Sequence, residues 1–533
     1  MARCGRHPDA LALMMVPACL ADVLWRERDA FAERLPRWRT PGLFVAASGG
    51  RIHSGLLTQA VPAWFGTKRI MTMKKTLLEY FASLVSPAAY YSSALLLWPA
   101  CSIAAGDAPL SETGEWLEQH GVGVHLQASQ FYFTNPSAGL QTHESEALTM
   151  LFAGADVDLE RMNLIPGGKV HFLQLWVPFS HNWDYGTQVG DTLVGNPPPY
   201  IPQTAHLMRF TYEQTWGVDD RYSLEFGKSN PGMYFGTPQC DSPMACVNTL
   251  LVNSVGYSAM PYSGWGARMA WRATPQLTAG VGGWRTYRGY PFTNGWEEGF
   301  RGDGKGENAL LAANLVSRQD WRDARYPLNW ELMATHSFRS YNEPYYTVNG
   351  TSQVTDGSAA ARRDSGVSAL YVGAKKALWR QDGGRDADNR HPTAISGYAD
   401  MTYLLNEQVD NGLGSLLHTG LILSSPWASR PLDSYSLNVS WLRLTSDEQR
   451  FLTDAFHSAG GRGWSPDRNQ YQASLTANLF LTPDVELQLI GSRTWKMNNW
   501  GNPYTSLIPQ NGWSFVIQAN LYLDTLLGLT PRR

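Results

Sequence analysis

The chain has 533 residues, a net charge of −3, 17% charged residues and 12% aromatics, including 21 Trp, 24 Tyr and 19 Phe. That length implies two to four domains or one very large one, and the aromatic load excludes a disordered chain. The balance is slightly negative and has no basic block, which excludes the electrostatic footprint of a nucleic-acid binder, and at most one apolar run approaches the roughly 20 residues that a membrane helix needs.

Residues 1–70 are Arg-rich and Pro-interrupted, with no sustained period of 3.6 or 2. They read as the product of a start codon assigned too early, with Met71 or Met73 the true start. A non-native or genuine N-terminal extension is the alternative. Residues 71–106 read as a signal peptide. Met71-Thr72-Met73-Lys74-Lys75 is a basic opening. An apolar stretch follows, broken at Ser86-Pro87 and resuming at Ala94–Trp98, and Ser102–Gly106 is mostly small, with Ser102, Ala104, Ala105 and Gly106. Cleavage near Ala104 fits that pattern. A membrane anchor is the alternative. Cys101 argues weakly for a lipoprotein, because Trp98 and Pro99 precede it. Removing the signal leaves Cys240 and Cys246. An oxidising compartment permits a disulfide between them. Two free thiols are the alternative, and neither thiol has zinc-site spacing.

Residues 107–533 carry one short candidate helix, Glu112–His120, and then a recurring period of two. Tyr471, Ala473, Leu475, Ala477, Leu479 and Leu481 share one face, with Gln470, Gln472, Ser474, Thr476 and Asn478 on the other. After the turn Thr482-Pro483-Asp484, Val485, Leu487, Leu489 and Gly491 oppose Glu486, Gln488, Ser492 and Thr494. Trp513, Phe515, Ile517, Ala519 and Leu521 oppose Ser514, Gln518 and Asn520. A half-buried antiparallel sheet gives this alternation, and so does a membrane barrel with an apolar outside and a wet lumen. Runs of about ten residues match a tilted membrane-crossing strand better than an ordinary strand of five or six. Trp176, Trp216, Trp265, Trp284 and Trp441 lie toward strand ends, where an aromatic girdle sits.

Candidate strands centre near residues 127, 152, 173, 210, 224, 268, 281, 312, 331, 370, 399, 419, 439, 475, 488 and 518. Their even number is what a bacterial barrel requires. Connections alternate in length. Val218–Asp220, Ala273–Gln276 and Thr482–Asp484 are tight, whereas 180–204, 230–262, 288–306, 338–363, 445–466 and 495–511 are long. Short turns at one end and long loops at the other define a porin-like barrel. The alternation weakens over 378–414. No blade motif recurs at a fixed period, as a propeller would show.

Gly114–Gly123, Ala155–Glu160, Tyr212–Gln214, Leu224–Lys228, the Cys240 to Asn248 segment and Pro261–Arg268 follow one another in an order and spacing that resemble the carbohydrate-selective porins of the OprB family. The resemblance spans roughly 112–525 and rests on the ordered series rather than on one motif. It implies an all-β, sixteen-stranded antiparallel barrel in the outer membrane of a Gram-negative bacterium, passing monosaccharides. Sixteen-stranded porins commonly assemble as homotrimers. Two departures stand out. Lys228 occupies a position where the family often has Arg, and the chain ends Thr530-Pro531-Arg532-Arg533 rather than in an aromatic residue.

A barrel of this size encloses an aqueous channel, so selectivity needs a constriction. The long loop 230–262, stiffened by Cys240 and Cys246, is one means if it folds inward; an ordinary outer loop is the alternative. Inward charges are the other. If Phe210 and Tyr212 face lipid, Arg209 and Glu213 face the lumen; if Met269 and Trp271 face lipid, Arg268 and Arg272 do. Arg or Lys facing lipid at mid-depth would cost about 2–4 kcal/mol. The candidate pore-lining set is therefore Arg209, Glu213, Lys228, Arg268, Arg272 and Glu331, groups that donate to and accept from sugar hydroxyls. Lumen solvation or paired structural charges are the bland reading. No HExxH, GxSxG or P-loop is present. Asp303–Glu307 and Asp382 to Asp388 lack EF-hand spacing. No enzyme activity, metal or cofactor is expected. A general porin and a secreted β-rich polysaccharide-binding protein or hydrolase are the alternatives.

Overall fold

The computed structural model describes residues 108–194, 201–287, 294–296, 307–386 and 388–530. The start-site and signal-peptide assignments lie outside the described residues. The period of two becomes strands β1 (Val122–Thr134), β2 (Ser145–Asp158), β3 (Gly168–Val177), β4 (Thr204–Trp216), β5 (Tyr222–Ser229), β6 (Gly264–Arg272), β7 (Leu277–Tyr287), β8 (Glu307–Ser317) and β9 (Leu328–Ser337). After a small hairpin, β10 (Tyr341–Thr347) and β11 (Ala360–Arg363), come β12 (Val367–Arg380), β13 (Ala394–Leu404), β14 (Leu413–Ser424), β15 (Ser434–Leu444), β16 (Asn469–Thr482), β17 (Val485–Trp495) and β18 (Gly512–Tyr522). All but β10 and β11 form one closed antiparallel barrel, in which β1 pairs with both β2 and β18. Among the described residues the barrel therefore has the sixteen strands expected, each at its expected place. Closure leaves no unpaired strand edge, a requirement for a sheet in lipid.

The faces divide as the alternation dictates. On β16, Tyr471, Leu475 and Leu481 are exposed outward, while Gln470, Ser474, Thr476 and Asn478 are buried inward. The same split holds on β5, with Leu224 and Phe226 out and Glu225 in, and on β17 and β18. Directly paired residues share a face, so each outward apolar row continues across its neighbours. Among the described residues no helix is long and apolar enough to cross a membrane; the strands make the crossing. Trp216, Trp271, Trp495 and Trp513 lie exposed near strand ends, as a girdle requires. Trp284 departs from that expectation. It is buried inward and donates its Nε1–H to Ser229 Oγ at 3.0 Å.

Both termini of the barrel lie at the end with the shorter connections, 159–167, 217–221, 273–276 and 483–484 among them. There the helix Ser111–Gln119 meets the short helix Leu523–Leu527, with Leu110 N–H donating to Leu527 O at 2.9 Å. The last strand thus closes on Tyr522, and the non-aromatic tail lies beyond it. The opposite end carries the long connections. The alternation inverts at one place, where 381–393 is longer than 405–412. The longer turn is compact because the Arg380 guanidinium grips Asp382 at 2.7 Å and Gly384 N–H donates to the same carboxylate. The shorter loop leans on the outer helix Ser446–Ser458, with Thr445 N–H donating to Gly412 O at 2.7 Å.

Candidate pore constriction

The lumen is narrowed by the connection between β5 and β6, residues 230–263, which folds inward rather than out. Asn230 fixes its neck. Asn230 Oδ1 accepts from Gly232 N–H at 2.8 Å, and its amide donates to Ser258 O and Tyr262 O at 2.7 Å each. One side chain therefore holds the outgoing and returning legs together. Tyr234 and Phe235 then pack on the inward ring of Trp284. The loop next meets Glu331 of β9, whose buried carboxylate accepts from Gly236 N–H and Thr237 N–H at 3.0 Å each and from Asn314 Nδ2 at 2.8 Å. Tyr371 on β12 donates to Thr237 O at 2.5 Å.

The tip continues across to the far wall. Cys240 and Cys246 are joined by a disulfide. Between them, Asp241 accepts from Ser434 Oγ at 2.8 Å and Ser242 Oγ donates to Gln488 Oε1 at 2.9 Å. On the return, Asn248 Nδ2 donates to Thr402 Oγ1 at 2.7 Å, and Leu250, Leu251 and Val255 bury themselves with residues of β8, β9, β12 and β14. Buried backbone groups of an irregular segment need partners, and inward residues of β9, β12, β13 and β16, namely Glu331, Tyr371, Asp400 and Asn478, supply several of them. The described first part of a second outer connection, residues 178–194, also turns in. Asp191 accepts from Leu193 N–H and Val194 N–H at 3.0 Å and from Gln470 Nε2 of β16 at 2.7 Å.

Opposite the loop, β1 to β6 present a line of charges. His125 Nε2 bonds Asp156 at 2.7 Å, His171 bridges Asp156 at 2.5 Å and Glu213 at 3.2 Å, and Arg209 Nη2 donates to Glu225 Oε1 at 2.6 Å. Thr211 Oγ1 and the Tyr234 hydroxyl donate to the same Glu225 oxygen at 2.6 and 2.7 Å. The Arg268 guanidinium stands 5.0 Å from the Tyr234 ring centre, within cation–π range. Among the described residues Arg268 makes no ion pair, and its buried Nε–H has no acceptor.

Of the six candidates, Arg209 and Arg268 come together around Tyr234, and Glu213 lies on the same wall. Arg272 shares the inward row of Arg268 but sits at the strand end, with Nη2 on Asp220 O at 3.4 Å; it belongs to the mouth. Glu331 faces inward, yet its carboxylate is occupied by the loop. Lys228 does not line the lumen. It pairs with Phe210 and Trp265 on the outward row, because alternation from Glu225 carries a residue three positions on to the other face. Its ammonium donates to Gly295 O at 2.6 Å. Gly295 belongs to the 294–296 segment, which lies against the outer side of β3 and β4, where Trp296 meets Phe172 and Phe210. That cover keeps the charge from lipid. Glu225 was missed although the alternation rule that selects Glu213 selects it equally. Tyr234 and Trp284 carry no periodic signal, since an inward-folding loop chooses its own contacts.

A closed barrel with an apolar outside, a polar inside and an inward loop that narrows it defines an outer-membrane porin. The model of the carbohydrate-selective porin, OprB family matches residues 142–488, and the chain belongs to that family. Its place is the outer membrane of a Gram-negative bacterium. Among solved structures, OprB of Pseudomonas putida in its high-pH form superposes with a TM-score of 0.63 at 17% identity, covering 77% of this chain and 96% of that one. The low-pH form gives 0.45 at 11% identity, covering 78% and 97%. OmpT of Vibrio cholerae gives 0.39 at 8% identity, covering 75% and 97%. These likenesses concern the fold. No curated protein matches the chain.

Proposed function

We propose that the protein passes monosaccharides by diffusion through the gap between the inward loop and the β1–β6 wall. The observation that carries this reading is the Arg209–Glu225–Tyr234–Arg268 cluster, which sets cationic donors, a carboxylate acceptor and an aromatic ring at one level of the lumen. A neutral polyol meets hydrogen-bonding groups of both kinds there. A site of mixed sign attracts neither ion strongly, so passage is set by hydroxyl contacts that bind well enough to admit and weakly enough to release. A homotrimer is carried with this proposal as the assembly, resting on strand number alone. Liposome swelling with a monosaccharide, a disaccharide and a zwitterion of matched size tests the function. Monosaccharides are expected to enter fastest. Equal rates for the monosaccharide and the zwitterion would favour a general porin, and no swelling would sink the channel.

A further inference from the structure

The parity that sorts β17 puts a charge on the lipid side. Val485, Leu487, Leu489 and Gly491 face outward, and Arg493 follows in the same row. It pairs directly with Trp513 on β18 and with Ala473 on β16, two residues short of the strand end at Trp495. The guanidinium stands 5.6 Å from the Trp513 ring centre and 6.0 Å from that of Trp495, within cation–π range. Both rings are exposed in the girdle, at the end that carries the long connections. Long loops mark the outer surface of a barrel of this kind, so Arg493 lies at the level of the outer leaflet. An acid of the neighbouring loop, Asp467, is taken by Lys496 at 2.9 Å. Among the described residues the Arg493 guanidinium makes no ion pair or hydrogen bond, only its two ring contacts.

Directly below Arg493, toward the short turns, the outer wall is hollow. Leu421, Leu437, Leu475, Gly491 and Phe515 pair in turn across β14 to β18 and line an apolar groove of about 550 Å³. Gly491 keeps it open, since a Cβ there would stand 3.2 Å from the Phe515 ring. The groove is several times the roughly 150 Å³ that holds benzene, room for a length of acyl chain. Gly491 and Arg493 are about 7 Å apart along the strand. Phosphate is an anion that a guanidinium grips through two parallel hydrogen bonds, and hydrocarbon fills an apolar groove at membrane depth. We propose that Arg493 and this groove together bind one phosphorylated lipid of the outer leaflet. Its headgroup phosphate sits on Arg493 beside the two tryptophans, and an acyl chain runs down past Gly491 and Phe515. The site is on the outer wall and is independent of what passes through the lumen.

Native mass spectrometry of the purified protein in detergent, titrated with lipid A and with the same lipid stripped of its phosphates, tests this. The wild type is expected to bind the phosphorylated form about fivefold more tightly, the preference one arginine gives near an anionic headgroup. Arg493→Gln should bring that ratio close to one. Gly491→Val fills the groove and should weaken both forms alike, leaving the ratio as in the wild type. Heat-modifiable mobility on gels confirms that each variant is folded. Equal wild-type affinities for the two forms, or a phosphate preference that survives Arg493→Gln, overturn the inference. So does binding unchanged in Gly491→Val.

Discussion

Replacing Glu331 with alanine releases the inward loop at its midpoint. The carboxylate is buried and accepts three hydrogen bonds, two of them from the successive backbone N–H groups of Gly236 and Thr237. Asn314 has a second acceptor in Tyr234 O at 3.1 Å, but the two backbone groups are left with no partner from this wall. An orphaned buried donor costs about 1–3 kcal/mol, so the docked loop loses roughly 2–6 kcal/mol. At about 1.4 kcal/mol per tenfold, the middle of that range moves the docked-to-released ratio by several hundredfold. The Asn230 neck and the far-wall contacts of the tip remain, so the segment between them bows rather than leaves. Single-channel recording is expected to show higher conductance with frequent open-state fluctuation. Glu331→Gln keeps one accepting oxygen and should fall between. A folded Glu331→Ala barrel with wild-type conductance and noise would refute the loop-anchor reasoning.

Glu225→Gln leaves the Arg209 and Arg268 charges uncompensated at the constriction. A unit charge about 7 Å from the ion path in water-like dielectric is worth ~0.6 kcal/mol to each ion, with opposite sign for anion and cation, so the chloride-to-potassium permeability ratio from reversal potentials should rise about sevenfold; a fall would contradict the assigned geometry. Cys240→Ser with Cys246→Ser loosens the tip that holds Ser242 on Gln488, at an expected cost of about 2 kcal/mol for so short a loop. The readout is added current noise, and an unchanged trace would mean the tip is held by its hydrogen bonds alone. Thr351, Ser358, Thr347 and Asn349 hydrogen-bond the Asp356 carboxylate beside the β10–β11 hairpin and hold it down at about 2. A carboxyl with a lowered value stabilises the fold above its ordinary range and loses that contribution as pH falls through the lowered value. Protease protection of this hairpin in the folded barrel should therefore persist from pH 7 to about 4 and fade toward pH 2; loss already at pH 5 would count against those bonds.

The barrel was legible because one rule governs all sixteen strands. Alternation placed Tyr471 and Leu475 outside and Gln472 and Ser474 inside, and a charge that would otherwise face lipid selected Arg209 and Arg268 for the lumen. The same rule, applied to Lys228, places it outside; a motif position had taken precedence over parity. Trp284 shows the limit of reading aromatics as girdle. A tryptophan near a strand end turns inward when a loop offers it Tyr234 and Phe235 to pack on. The hairpin β10–β11 escaped notice because it is short, carries Pro344 and has a register shift. The loop's path was illegible for a different reason. Its anchors, Glu331, Tyr371 and Gln488, sit on distant strands, and nothing local in 230–263 names them.

The most direct test of the central claim is single-channel conductance of the purified protein in a planar bilayer, with glucose added in steps. A stable channel whose current falls saturably with glucose, and whose block weakens in Arg268→Ala, is the predicted result. A channel whose current is indifferent to glucose would contradict sugar recognition at the constriction while leaving the barrel intact.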